Sequence, residues 1–224
     1  MHLGLETERL WVVTAVRIES VVEPFVSDPA AAVKGARLVA RAEFLGILPD
    51  DPAERRELGK PLIEAILRRL ASHGVAARAE LLTHTAWSTN YDALLDAALE
   101  QTEHSPMPHL AWNPLRGILG EDLLADLLNV STTSLRRYAA GDRGTPEEVA
   151  GRLHLLVLLV SDLAGGYNDY GIRRWFLRPR AALGDLTPRD VLKADVEKAR
   201  FDPTSADARR LRVLAAGLAA GNAT

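Results

Sequence analysis

Thr132, Thr133 and Ser134 set three hydroxyls side by side, and Arg136 and Arg137 follow with two guanidinium groups. Short hydroxyl side chains donate and accept at base edges, and arginine forks pair with guanine or with phosphate oxygens. The run is therefore suited to holding DNA rather than to breaking bonds. Ser131 ahead of it and Arg143 behind it extend the same candidate DNA-binding surface. Elsewhere reactive chemistry is sparse. The chain has no cysteine, which removes disulfides, thiolate metal sites and a thiol nucleophile together. His73, His84, His104 and His109 include no HxxxH pair and no completing carboxylate, so solvated histidines and no metal are expected. There is no nucleophile elbow, phosphate-binding loop or dinucleotide fingerprint, and Glu43, Glu80 and His84 have no convergent spacing. The expectation is a protein that is not an enzyme and carries no cofactor.

The hydroxyl and arginine run needs a helix to present it, and residues 121–141 supply one. The stretch EDLLADLLNVSTTSLRRYAAG reads as two short helices joined by a tight turn. Ala125 is the small residue where the helices cross, and Leu128 ends the first apolar face. Asn129 takes a turn position that requires tolerance of positive φ. Val130 plugs the turn, Ser131 caps the second helix, and Leu135 with Tyr138 give that helix an inward face. What remains outward is Thr132, Thr133, Ser134, Arg136 and Arg137, at the end of the helix that enters a major groove in helix-turn-helix proteins.

With 224 residues, 47% of them hydrophobic and 25% charged, the chain is long enough for one large or two small globular cores. A net charge of -3 advertises no global affinity for nucleic acid, so DNA contact must come from a local patch. The first residues, MHLGLETERLWVV, lack the positive start and small-residue cleavage site of a signal peptide. Leu153 to Val160, interrupted by His154, is far short of the ~20 residues of a spanning helix and reads as a core helix. No membrane partner and a reducing cytoplasm are expected.

Residues 1–105 are expected to form a mostly helical domain of undefined role. Trp11, Ala15, Ile18 and Val22 lie at helical spacing, but Val12, Thr14, Val16 and Ile18 alternate as in a strand. Ala30 to Leu48 predicts a helix with Val33, Leu38, Ala42 and Leu45 inward; Pro61 to Ser72 predicts another, closed by His73-Gly74, and Asn90 to Leu99 a third. Residues 101–108, with two prolines, read as a linker. That puts a helix-turn-helix domain at 106–164. Trp112 to Leu119 leads into it, and Thr145, Pro146 and Glu148 predict an N-cap and capping box for a last helix that stops at Gly165-Gly166.

Residues 165–224 form the third expected unit. Gly171 to Pro179 predicts a short helix, Gly184 a turn, and Thr187-Pro188 the start of another helix. Within 172–200, eight basic residues face four acidic ones. The spacing of Gly171, Trp175, Leu177, Pro179, Leu183-Gly184, Thr187-Pro188 and Val191-Leu192 resembles the toxin-binding domain of Xre/MbcA/ParS-type antitoxins. The resemblance covers about residues 110–220, with a helix-turn-helix preceding this module as in that family.

The resemblance implies an antitoxin of a type II toxin-antitoxin system. Its partners would be a RES-domain, NAD-consuming toxin, obstructed at its active site, and operator DNA, through which it would act as repressor of its own operon. Candidate toxin-binding residues are Arg173, Arg174, Trp175, Arg178, Arg180 and Leu183, with Arg209, Arg210, Leu214 and Leu218 on the carboxy-terminal helix; Trp175 also reads as a core residue. A homodimer is expected because paired modules match a two-fold operator. The alternative is a free-standing helix-turn-helix transcription regulator whose first hundred residues sense a ligand or partner.

Overall fold

The computed structural model describes residues 18–75, 90–194, 202 and 205–219. Trp11, Val12, Thr14, Ala15, Val16, Glu80, His84, Asp195, Glu197, Lys198 and Arg200 fall outside them, as does the side chain of Leu218. The described chain is mainly α, as the sequence predicts.

Helix α1, Pro29–Phe44, starts where Asp28 accepts from the Ala30 and Ala31 amides, with Pro29 in the first turn. It ends at Phe44, four residues before the predicted Leu48, because Gly46 turns left-handed (φ 69°) and Ile47 N–H donates back to Ala42 O. Its inward face is Ala31, Gly35, Leu38, Val39 and Ala42; Val33 is 61% exposed, two residues off that stripe. Helix α2, Lys60–Ser72, closes at Gly74 as expected from the sequence, with Val75 N–H returning to Leu70 O. Before α1 and α2, strands β1 (Ser20–Val21) and β2 (Glu57–Leu58) pair in parallel.

Helix α3, Tyr91–His104, is capped by Asn90 and runs five residues beyond the predicted Leu99. Residues 101–104 of the predicted linker are thus helix. Thr102 is buried because Arg41 of α1, only 2% exposed, donates to its hydroxyl at 2.9 Å. Helix α4, Pro108–Leu119, follows after three residues.

Helices α5 (Glu121–Leu128), α6 (Thr132–Ala139), α7 (Glu147–Ala164), α8 (Asp169–Leu177), α9 (Pro188–Ala194) and α10 (Ala206–Ala219) complete the described α-helices. Helix α7 is buried all round, from Val149 to Leu163, and α1, α4 and α10 pack against it. Each of its buried polar side chains makes at least one hydrogen bond: Arg152 with Leu192 O, His154 with Glu103 O, Ser161 with Leu158 O, and Asp162 with Arg37. The expected cap at Thr145 is not made. The Thr145 hydroxyl instead accepts from the Trp112 indole at 3.3 Å, and Pro146 takes the cap position with no side-chain hydrogen bond. One hydrophobic cluster runs from Phe25 to Ala215, so packing does not break near residue 105. No described helix is long and apolar enough to cross a membrane.

Candidate nucleic-acid interface and adjoining surface

Two helices of eight residues each build the candidate interface, and the turn between them fixes their geometry. Asn129 is left-handed (φ 54°, ψ 47°), and Val130 N–H donates to Ala125 O at 3.0 Å, closing α5. Ser131 Oγ accepts from Ser134 N–H at 3.1 Å and starts α6 in the next residue. Ala125, Leu128, Leu135 and Tyr138 are buried and Val130 packs on them. Trp112 of α4 stacks on Tyr138, with ring centroids 6.0 Å apart, so α4 backs the pair.

With that face inward, Ser131, Thr133, Arg136, Arg137 and Arg143 are exposed, and Thr132 and Ser134 half-buried. None of these seven residues is buried. Their charges are not equally available. Glu121, at the first position of α5, accepts from Arg136 Nε at 2.8 Å and is also paired with Arg116. The Arg136 hydrogen bond, then that of Arg116, holds the Glu121 carboxyl below its ordinary range. The Arg143 guanidinium lies 5.6 Å from the Tyr138 ring centroid. Arg137 has no ion pair among the described residues. Residues 108–148 hold four arginines against six carboxylates, so any attraction for phosphate comes from where the arginines stand.

The next module is docked on this one by charge. On α9, Arg189 pairs with Asp126 of α5, and Lys193 reaches the same carboxylate at 2.5 Å. Burial pushes the Asp126 carboxyl up, but hydrogen bonds from Arg189 and Lys193 outweigh it and leave the group low. On α8, Arg173 donates to Ile118 O, at the end of α4, at 2.8 Å. A short antiparallel bridge of Arg180 with Leu186, turned by Gly184 and Asp185 at positive φ, joins α8 to α9. Thr187 and Asp190 then exchange hydrogen bonds in a capping box that starts α9.

Several candidate partner contacts are engaged within the chain itself. Trp175, 2% exposed, and Leu183 are core residues, and Trp175 packs edge-on to Phe176. Arg173 is half-buried on its carbonyl, and Arg180 lies 5.5 Å from the Trp175 ring centroid. Trp175 and Leu183 offer no free surface, and Arg173 and Arg180 are half-buried. Arg174 and Arg178 are exposed. On α10, Leu211 faces α7 and is buried, whereas Arg209, Arg210, Val213 and Leu214 line a shallow groove of about 370 Å³ with Ala182 and Ala206.

Sequence reading missed the polar cluster behind that helix. Arg212 of α10 donates to Glu103 at 2.5 and 3.1 Å, and Arg41 donates to the same carboxylate at 2.9 Å. Burial raises the Glu103 pKa, but hydrogen bonds from Arg212 and Arg41 and both charges overcome it, leaving the group at about 2. The only hint in the sequence is an arginine inside an apolar helix stripe, and its partners are 61 and 62 residues away.

His73 and His109 approach to 3.4 Å between ring nitrogens, but no third ligand joins them, and the described residues contain no group of three or more metal-ligating side chains. No family model, curated protein or solved structure matches the chain.

Proposed function

We propose that the chain is a DNA-binding antitoxin that represses its own operon through α5 and α6 and neutralises a RES-domain toxin through the module that follows. The observation carrying the DNA half is the left-handed Asn129 turn with the Ser131 cap. It supports a recognition helix whose outer face is hydroxyls and arginines. The toxin half rests on the motif from Gly171 to Leu192 and on the groove of α10, where Arg209 and Arg210 flank apolar Val213 and Leu214. That groove suits an acidic partner surface with an apolar centre. Because the module around α6 is not net basic, two copies on a two-fold operator are required for useful affinity.

The test is co-expression of the full chain with a RES-domain toxin, read by pull-down and by cellular NAD, beside a reporter driven by the chain's own promoter. Arg136→Ala plus Arg137→Ala abolishes repression while toxin binding and NAD rescue persist. Loss of both activities in a folded variant defeats the division of labour. Repression without any toxin complex or NAD rescue would instead favour a free-standing regulator, for which the shared core of α1, α3 and α7 is the place where a signal from the first hundred residues would enter.

A further inference from the structure

Of the four arginines in residues 108–148, two share one carboxylate, a third lies over an aromatic ring, and only Arg137 has no side-chain partner among the described residues. An acid at the first turn of α5 is ordinary helix chemistry, since it complements the helix dipole. An acid there that also pairs with Arg136, fifteen residues on and on the other helix, does more, because it spans the two helices at the face offered to DNA. Arg136 is 65% exposed, so its charge would otherwise be free to neutralise a phosphate.

We propose that Glu121 is a positioning residue of the interface: the carboxylate shared with Arg116 offsets the charge of Arg136 and fixes its direction, so Arg137 with Thr133 carries the base contacts while sequence-independent attraction stays low. The proposal rests on the DNA reading given above. It follows that Arg136 adds little to phosphate neutralisation in the natural chain and becomes a phosphate contact when Glu121 loses its charge.

The experiment measures binding of the full chain to a labelled duplex enriched from a random-sequence pool by the natural protein, and to a mixed-sequence duplex, between about 50 and 200 mM salt. Glu121→Gln steepens the logarithmic salt slope by about 0.9, so its affinity relative to the natural chain changes about 3.5-fold over that range. The preference for the enriched duplex narrows. Glu121→Gln combined with Arg136→Ala loses the steepening, which a merely structural role of Glu121 would not produce. Arg136→Ala alone leaves the natural slope unchanged, a readout that holds even if Glu121→Gln fails to fold. A slope shallower by about one in Arg136→Ala, or an unchanged slope in folded Glu121→Gln, overturns the proposal and leaves the DNA reading standing. If the natural chain enriches no duplex, the DNA reading fails and the proposal falls with it.

Discussion

Replacing Glu103 by Gln removes one charge from between two buried or half-buried cations. Arg41 is 2% exposed and Arg212 half-buried, and both hydrogen-bond the carboxylate. A carboxyl that falls from 4.5 to about 2 on folding contributes at most ~3.4 kcal/mol, at about 1.36 kcal/mol per unit; solvent at its accessible edge brings this to about 2. Gln also leaves Arg41 without its counter-charge, so the expected loss at neutral pH is about 2–4 kcal/mol. The sign in pH follows from the lowered value. The contribution is complete above about 4.5, where the unfolded carboxyl is ionised, and is lost as pH falls from there toward 2. Urea unfolding of the natural chain and Glu103→Gln at neutral pH and at steps down through this window should show two curves that converge in acid. A variant within about 0.5 kcal/mol of the natural chain at neutral pH, or one with the same dependence below pH 4.5, would refute the reasoning.

Asn129→Gly should leave the urea midpoint nearly unchanged, whereas Asn129→Val, forcing a β-branched residue to φ 54°, should cost about 1–2 kcal/mol. His154, whose pKa is lowered by burial first, adds a second pH dependence. Its contribution is full above the unfolded value near 6.5 and falls away below it; His154→Asn should flatten the unfolding midpoint between neutral and mildly acid pH. Asp126→Asn removes the shared anchor of Arg189 and Lys193, which is partly exposed. Global stability should fall by no more than about 1 kcal/mol, while amide protection in α9 drops well before that in α7.

The two-helix motif was legible because every feature that makes it is local. A 3.6-residue apolar period, an Asn at a left-handed turn and a Ser cap are all written within twenty residues. The close of α2 and the buried length of α7 were legible for the same reason. What could not be read depended on distant partners. Thr145 looks like a cap until the Trp112 indole, 33 residues away, takes its hydroxyl. Arg173 looks like a free cation until α4 brings up a carbonyl 55 residues earlier in the chain. Val33 is expected inward with Leu38, Ala42 and Leu45, but only one stripe of α1 faces α7 and α3, and Val33 is not on it.

Those same long-range bonds bear on how the first hundred residues relate to the rest. Helix α7 is buried on every side along most of its length, so each side needs cover, and α1 supplies one of them. Asp162, buried on α7, has its counter-charge in Arg37 of α1; His154, also on α7, is hydrogen-bonded to Glu103 O on α3. Arg212 on α10 has its carboxylate on α3 as well. A chain cut near residue 105 would therefore strip apolar cover from α7 and leave Asp162 without its cation and Arg212 without its carboxylate. The face that carries Arg136 and Arg137 touches none of this directly, but α4 and α5, which position it, are packed on α7. The described part of the first hundred residues and the candidate interface thus rest on one core.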